Sequence, residues 1–475
     1  MEIYRFRSSP ILLRGMTFRS LIYRLAFPLK WTLTPEPLRF WRKYMKPIKR
    51  FSHEGNVTYY QSQQEVMLPD RYVQSKVELR GIWFSTVNNI DISKMESVKS
   101  YQDYLRGAIQ KIKEYHFNTV VFQVRPTNDA WYESKLNPWT AFITGKQGEY
   151  PGFDVFGWFV KEANAAGLTV HAWLNPYRIS VVKLSEANQT KDEFLNSLAP
   201  NNFARLHPEL VIVTAEQKLI LDPASAAVRE FVADTAAEIG RKYNVKAIHM
   251  DDYFYPYEAI KDENEDAKFK ASGFATLGDF RRNNVSLLIK QVHEKLQELP
   301  KKVEFGISPF GIYRTNAKWF KEQNESAWEQ GSNNHFSCFN CYTGLFADVW
   351  KWMKEGWIDY VVPQNYFDLD YWKQNQEGVL YEVVKYADLA KWWAETSKKT
   401  GTKLYMGMGL YRYSKEGNWN NPEEIINQLK YNRCHPNIKG VVMFTYKNLI
   451  GDEIPALSAA REKLKELWSK EAKEI

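Results

Sequence analysis

Two carboxylates stand side by side in this chain, at the end of a short apolar run. Asp251 and Asp252 follow residues 245–250, in which Val, Ala, Ile and Met predominate. Like charges this close raise the pKa of one partner, so one carboxyl is expected to hold a proton at neutral pH while its neighbour is ionised. The alternative is that the pair caps the next helix or binds its backbone amides, a common role of Asp after a strand.

Aromatic side chains follow the carboxylates directly. Tyr253, Phe254, Tyr255 and Tyr257 offer flat apolar faces with polar edges, a surface suited to sugar rings. The aromatic content of the whole chain is 15%, but this fits a large core as well as carbohydrate contact. The position of these rings beside the carboxylates is therefore the more informative observation.

The elements that would position these residues alternate between strands and helices. Short apolar runs typical of buried parallel strands are found at residues 80–87, 118–124, 168–173, 245–250, 303–308, 360–363, 403–410 and 440–444. Amphipathic segments between and after them predict helices at residues 98–115, 154–166, 277–299, 343–354, 380–398 and 454–470, with another capped by Asp222 and one opened by Asn421. Eight such pairs predict an α/β fold, a (β/α)8 TIM barrel over residues 79–470, after a basic N-terminal extension and linker at residues 1–78.

In such a barrel the residues just after the strands converge on one pocket. Asp251 and Asp252 are the candidate catalytic residues. The candidate substrate-binding residues are Arg125, Asp129, Trp173, Asn175, Tyr177, Arg178, Tyr253, Tyr255, Arg314, Gln364 and Tyr366. The pocket would combine carboxylates, planar hydrogen-bonding groups and aromatic faces.

Several classes of chemistry lack their motifs. No two of the eight His lie within four residues of each other, which removes the HxH and HExxH metal sites. Cys338 and Cys341 have the CxxC spacing, but no second pair accompanies them. No Ser stands in a GxSxG elbow, and no GxGxxG or P-loop pattern occurs. We therefore expect no metal and no cofactor, and the pocket composition points to glycosidic bond cleavage, in which one acid protonates the leaving oxygen.

Seven segments of the chain resemble, in their order and spacing, the glycosyl hydrolase-like 10 family. They are RGIWFSTV, FQVRPTNDAWYESKLNPW, HAWLNPYR, LDP, HMDDYFYP, FGISPFGIYR and DYVVPQNYF, and they span about residues 79–367. The resemblance implies a barrel and a bacterial glycan hydrolase that acts on cell-wall or related polysaccharide, similar to peptidoglycan glycan-strand hydrolases. Members of this family usually carry an export signal, which is not evident in this chain.

The sequence leaves the mechanism open between two hypotheses. On a glycan with 2-acetamido groups, Asp251 would orient the acetamido nitrogen and Asp252 would protonate the leaving oxygen, or the two roles would be exchanged. The competing hypothesis is a two-carboxylate mechanism between this pair and Asp129, Glu133 or Asp368. A catalytically silent barrel that binds glycan is the alternative function, because a fold alone does not confer activity. A third interpretation places the function in the basic N-terminal segment, with the barrel as its carrier.

Basic residues are concentrated at the N-terminus. Residues 1–50 hold twelve Lys and Arg against two Glu, so the rest of the chain is slightly acidic although the net charge is +8. This distribution argues against nucleic-acid binding by the barrel, and the expected partner is a carbohydrate. Arg14, Arg19 and Arg24 interrupt the most apolar N-terminal stretch, so neither a signal peptide nor a transmembrane helix is expected there. Residues 1–50 are interpreted either as a peripheral membrane contact or as an extension packed on the barrel, and the expected location is cytoplasmic or membrane-associated.

Overall fold

Eight parallel strands close into a barrel in the order in which they occur along the chain. The computed structural model that shows this describes residues 45–316, 318, 331–451 and 453–474. The strands are β1 (Leu79–Phe84), β2 (Thr119–Arg125), β3 (Thr169–Leu174), β4 (Ala247–Met250), β5 (Glu304–Ile307), β6 (Tyr360–Val361), β7 (Lys403–Gly409) and β8 (Ile438–Phe444). Each strand pairs in parallel with the next, and β8 pairs with β1. The predicted (β/α)8 barrel is confirmed.

A helix follows each strand along the chain. These helices are α1 (Val98–Glu114), α2 (Val155–Ala165), α3 (Ala226–Lys242), α4 (Leu277–Gln297), α5 (Val349–Lys354), α6 (Tyr386–Thr400), α7 (Glu424–Asn432) and α8 (Pro455–Leu467). Each turns an apolar stripe inward, as Tyr101, Leu105 and Ile112 do at helical spacing in α1. The amphipathic pattern that predicted these helices is thus a consequence of packing on the barrel.

Three predicted helix starts differ from the structure. The segment predicted as one helix at residues 343–354 is divided into a short helix, Cys341–Gly344, and α5, which begins at Val349. Ser225 caps α3, and Asp222 instead accepts a hydrogen bond from the backbone of Ala224 in the preceding turn (2.8 Å). Residues that the sequence assigned to the start of α6 form a strand, Leu380–Val384, which pairs antiparallel with Tyr371–Gln374. Its Tyr and Val residues favour a strand. The helical spacing of apolar residues in α6 can be continued back into this segment, which obscured that preference.

Further short elements lie in the loops between the barrel strands and their helices. After β3, Val211–Val213 pairs antiparallel with Leu219–Leu221. The charged segment after β4 contains the helix Glu263–Ser272. The remaining short helices are Ala141–Thr144, Leu184–Ala187, Lys191–Ser197, Phe203–Leu206, Cys341–Gly344 and Tyr446–Ile450.

A separate group of buried side chains fills the inside of the barrel. Its members are Leu79, Trp83, Val121, Trp173, Ala247, Tyr360, Val362, Tyr405 and Val442, supplied by alternate positions along the strands. Gly306 on β5 leaves space for one of the largest of them, because a Cβ at that position would lie 1.9 Å from Cζ of Tyr360.

A chain of hydrogen bonds crosses this interior. The indole N–H of Trp83 donates to Nε2 of His249 (3.4 Å), so Nδ1 of His249 carries a proton and donates to the hydroxyl of Tyr360 (3.1 Å). That hydroxyl donates to Nδ1 of His171 (2.8 Å), whose Nε2 donates to Glu474 (3.3 Å). Burial lowers the pKa of His249 well below its usual value, which fits a neutral ring. The two histidines are therefore interior residues of the barrel.

Residues 45–78, expected to be part of a linker, pack against the same body. Met45–Pro47 and Met67–Pro69 form an antiparallel pair, and Val57, Val66 and Leu68 are buried in the main core. A few apolar side chains are thus enough to hold a segment whose overall composition is polar. Residues 45–475 form one compact unit.

The apolar N-terminal stretch and most of the basic segment 1–50 lie outside the described residues. Within the described part of that segment, Lys46 pairs with Asp70 (3.1 Å) and Arg50 pairs with Asp370 (3.3 Å). None of the helices in the described ranges is both long and apolar enough to cross a bilayer.

Candidate active site

A cavity of about 480 Å³ opens at the carboxyl ends of the barrel strands. Of the residues predicted for the pocket, those that line it are Trp173, Arg178, Asp251, Asp252, Tyr253, Gln364 and Tyr366. They come from the ends of β3, β4 and β6, so the barrel brings together side chains that are far apart in the sequence. Both aspartates are almost completely buried.

The carboxylate of Asp251 is surrounded by hydrogen-bond donors. Its Oδ2 accepts from the indole of Trp173 (3.1 Å) and from the amide of Asn175 (2.5 Å). Its Oδ1 accepts from the backbone N–H of Tyr253 (3.2 Å). Burial raises the pKa of Asp251, whereas the charge of Arg178 and these donors oppose the rise. The ionised form of Asp251 is therefore the form that its neighbours stabilise.

Asp252 lies in different surroundings. Burial raises the pKa of Asp252 to about 7, and the charge of Asp251 adds to the rise. Hydrogen bonds from the hydroxyl of Tyr257 and the amide of Gln364 oppose it. A carboxyl with such a pKa is protonated in a large fraction of molecules at neutral pH, as a general acid must be.

Gln123 is a buried residue of this site that sequence reasoning missed. Its amide donates to Oδ1 of Asn175 (2.7 Å), which leaves the amide of Asn175 pointed at Asp251. Its own carbonyl oxygen accepts from the backbone N–H groups of Thr86 and Val87 (2.9 Å each). Gln123 thus fixes the loop after β1 and the orientation of Asn175 together. The available signal was a polar amide inside an otherwise apolar strand.

Aromatic rings form much of the rest of the lining. Tyr257, one of the rings noted beside the carboxylates in the sequence, lines the cavity, and the rings that sequence reasoning did not place there are Trp83, Phe310, Phe367, Tyr371, Tyr411 and Phe444. On one side Tyr366 packs edge-on against Tyr411 (5.5 Å between centroids), and Tyr411 packs edge-on against Phe444 (5.8 Å). Rings at the ends of apolar strands look like core residues in sequence, so their exposure to a cavity was not evident.

The sequence matches the family model described as glycosyl hydrolase-like 10 over residues 78–423. The chain belongs to this family. The resemblance drawn from the seven sequence segments is therefore confirmed.

Relatives that match this chain over most of its length are named as glycosyl hydrolases. Glycosyl hydrolase YngK of Bacillus subtilis is 35% identical over 385 residues, which are 79% of this chain and 69% of YngK. Glycosyl hydrolase DigH of Escherichia coli K12 is 32% identical over 397 residues, which are 78% of this chain and 83% of DigH. Among solved structures, the PgaB (BpsB) glycoside hydrolase domain of Bordetella bronchiseptica is 11% identical with a TM-score of 0.48, covering 82% of this chain and 99% of that one.

Within the region of the family match, Arg125 does not line the cavity although it ends β2. Gln123 pairs with Trp173 and Arg125 pairs with Leu174, so β2 has one residue more than β3 at this point. Such a bulge turns the next side chain to the other face of the sheet. Arg125 is buried there and donates to the backbone carbonyl of Asn175 (2.6 Å). It contacts the site only through the residue that holds Asp251.

Asp129 and Tyr177 are also buried outside the cavity of the aspartates. Asp129 accepts hydrogen bonds from Thr127 (2.6 Å) and Gln147 (3.0 Å) within the loop after β2, and burial raises its pKa. Tyr177 lines a neighbouring cavity instead.

Tyr255 and Arg314 stabilise the loops around the site through stacked pairs. The guanidinium of Arg281 lies 5.1 Å from the ring centroid of Tyr255, and that of Arg314 lies 4.0 Å from the centroid of Tyr342. Both predicted residues are buried behind the lining, so their contribution is to loop geometry.

The other acids considered for a two-carboxylate mechanism lie elsewhere. Glu133 is exposed and pairs with Lys242 (2.5 Å), and Asp368 accepts from Asn418 (3.0 Å). Among the described residues, Asp251 and Asp252 are the carboxylates that line the cavity. The arrangement therefore favours a mechanism in which this pair acts without a distant third acid.

The described residues contain no group of three or more His, Cys, Asp and Glu placed to hold a metal ion. Cys338, Cys341 and Cys434 are free thiols. Burial raises the pKa of Cys338 to about 11, so this thiol is protonated at neutral pH and is a poor metal ligand.

Proposed function

We propose that this protein hydrolyses glycosidic bonds of a bacterial polysaccharide that contains N-acetylated amino sugars, such as a cell-wall glycan. Membership of the glycosyl hydrolase-like 10 family supports a hydrolase of glycosidic bonds. The lining of the cavity supports a sugar ligand, because aromatic faces with a few fixed polar groups are typical of carbohydrate sites.

The observation that carries the proposal is the unequal environment of two adjacent carboxyls. Three N–H donors and a cation surround Asp251, whereas burial and a neighbouring negative charge raise the pKa of Asp252 to about 7. This difference supports Asp252 as the residue that carries the proton. Of the two role assignments that the sequence left open, it favours Asp252 as the acid.

In the proposed first step the proton of Asp252 passes to the glycosidic oxygen while the bond from that oxygen to the anomeric carbon breaks. The carbonyl oxygen of the 2-acetamido group attacks the anomeric carbon and forms a cyclic intermediate. Asp251 accepts a hydrogen bond from the acetamido N–H and stabilises the positive charge that develops there. Substrate-assisted cleavage of this kind needs no second carboxylate as nucleophile.

In the second step water attacks the anomeric carbon and gives a proton to the carboxylate of Asp252. The acetamido group is restored, and the acid is ready for another turnover. The step as written uses no metal ion, so activity is expected to survive dialysis against a chelator.

The test compares matched oligosaccharides that differ in the acetyl group alone. Purified protein is incubated with bacterial cell-wall glycan strands and with N-acetylglucosamine oligomers, each in acetylated and de-acetylated form, and products are identified by mass spectrometry. Products that gain one water and come from the acetylated form alone are expected. Equal rates on both forms would exclude the acetamido mechanism, and no cleavage of any glycan would support the silent binding barrel.

A further inference from the structure

A second cavity of about 300 Å³ adjoins the cavity of the aspartates. The two share Val87, Ile90, Arg178 and Tyr253 in their walls, so they are adjoining parts of one groove. Arg178 and Tyr253 mark the boundary between them, with the guanidinium carbon 4.2 Å from the ring centroid. A ligand that extends past this pair enters the second cavity.

The second cavity carries charges of both signs, with Arg178 and Lys218 on one side of the balance and Glu258 on the other. The ammonium of Lys218 lies 2.9 Å from the carboxylate of Glu216, and the carboxylate of Glu258 accepts from Thr214 (2.9 Å). Beside them lie apolar walls, among them Val181. A surface with balanced charge, hydrogen-bonding groups and apolar patches suits a neutral ring with hydroxyls better than an anion.

On the opposite side of the boundary a row of aromatic rings extends the groove. Successive centroids lie 5.4 Å apart from Tyr253 to Tyr257, 6.4 Å from Tyr257 to Phe310, 6.2 Å from Phe310 to Phe367 and 6.4 Å from Phe367 to Tyr371. All of these rings line the cavity of the aspartates. The groove thus offers sugar-binding surface in both directions from Tyr253.

We infer that the second cavity binds a further pyranose unit of the glycan, so that the chain lies along the groove and is cut at internal bonds. The inference rests on the proposed function and adds to it an endo mode of action and a specific binding subsite. A site that accepted only a chain end would be closed on one side of Arg178 and Tyr253, whereas the second cavity lies on one side of this pair and the row of aromatic rings on the other. Tyr253, common to both cavities, would contact the sugars on either side of the boundary.

Two neighbouring substitutions separate this subsite from general effects on the loop. Val181→Trp places an indole in the second cavity, whereas Val182→Trp places the same group at a position that is 43% exposed and lines neither cavity. Thermal melting of both variants shows whether the loop tolerates the larger side chain.

The first measurement is kcat/KM on N-acetylglucosamine oligomers from dimer to hexamer, labelled at the reducing end. The parent protein is expected to release internal fragments from long oligomers at the earliest times. Val181→Trp is expected to lower kcat/KM on the hexamer by about tenfold or more, because one subsite is lost, and to change it less than twofold on the shortest oligomer that is cleaved. Val182→Trp is expected to match the parent on every length.

The second measurement is binding of the same oligomers in an Asp252→Asn background, which does not depend on turnover. Affinity that rises from the shortest to the longest oligomer, and a rise that Val181→Trp removes, would support the subsite even if the parent cleaved nothing. Equal behaviour of Val181→Trp and Val182→Trp on all lengths would overturn the subsite, as would release of terminal units alone. Failure of the proposed function would be seen separately, because the parent protein would then cleave none of the oligomers.

Discussion

The cavity has two flanks, one at the end of β3 and one at the end of β6. They give the neighbouring carboxyls of Asp251 and Asp252 different surroundings. On the flank of β3, Asp251 receives N–H donors and faces the charge of Arg178. On the flank of β6, Asp252 receives the amide of Gln364, while the phenol of Tyr257 reaches it from the loop after β4, and the negative charge of Asp251 raises its pKa. The donors and the cation favour the ionised form of Asp251, whereas burial and the charge of Asp251 raise the pKa of Asp252 to about 7. Two identical residues next to each other in sequence thus differ in their electrostatic surroundings because different parts of the barrel supply their neighbours.

Removal of the proton donor is the largest expected change to this pair. Asp252→Asn should lower kcat between about a hundredfold and ten-thousandfold, because an amide cannot protonate the leaving oxygen. Glycan binding should survive, which isothermal titration can measure. Glu133→Gln is the control, since it removes an exposed carboxylate outside the cavity. A small effect on kcat would reassign the acid.

The same variant has a consequence for stability. Asp252 binds its proton more tightly in the folded protein than in the unfolded chain, so its contribution to the free energy of unfolding falls as the pH rises from about 4 to about 7. Asn does not titrate. Denaturant unfolding should therefore show a smaller loss of stability for Asp252→Asn than for the parent between these two pH values.

Asp251→Asn removes the charge that distinguishes the two flanks. We expect kcat to fall by about a hundredfold, because the positive charge near the acetamido group loses its fixed counter-charge. The pKa of Asp252 should fall as well, since Asp251 raises it. The alkaline limb of the kcat/KM profile should consequently move to lower pH, and an unmoved limb would show that the two carboxyls are not coupled.

Asn175→Ala weakens the flank of β3 without touching either acid. It removes one donor to Asp251 (2.5 Å) and leaves the amide of Gln123 without its partner. The loss of this hydrogen bond raises the pKa of Asp251, so the acidic limb of kcat/KM should move to higher pH by about one pH unit or less. Asn175→Leu, which keeps most of the side-chain volume but has no donor, separates the lost donor from a lost packing contact.

Tyr257→Phe is expected to give the smallest change and the opposite sign to Asp251→Asn. The hydroxyl of Tyr257 donates to Asp252 and lowers its pKa, and its ring is 43% exposed, so the fold should tolerate the change. The alkaline limb should move to higher pH by about half to one unit, with kcat at low pH nearly unchanged. A move to lower pH would contradict the assigned direction of this hydrogen bond.

The fold was predictable because every strand and helix of the barrel leaves a local pattern. Buried parallel strands are short apolar runs, and the helices that cover them alternate polar and apolar faces. The aspartates, Trp173 and Gln364 were found because a barrel collects strand ends at one opening. The assignment of cavity-lining residues failed where the pairing with a neighbouring strand, rather than the local sequence, decides which face of the sheet a side chain is on.

Arg125 and Gln123 show this limit. The bulge between them is visible only in the pairing of β2 with β3, and it sends the charged residue outward and leaves the neutral amide inside. Strand ends predict which residues are near the opening, but the register of the adjacent strand decides which of them reach the cavity. The rings of Tyr411 and Phe444 were missed for another reason, because rings at the ends of apolar strands look like core residues in sequence.

Because Gly306 contacts Tyr360, substitutions at these two distant positions depend on each other. Any residue other than glycine at 306 would displace the ring of Tyr360, at a cost of about 1–3 kcal/mol for an overfilled core, and would interrupt the link between His249 and His171. A smaller residue at 360 would relieve the crowding but abolish the same link. A change at Gly306 alone or at Tyr360 alone is therefore expected to lower stability, so the two positions are expected to change as a pair.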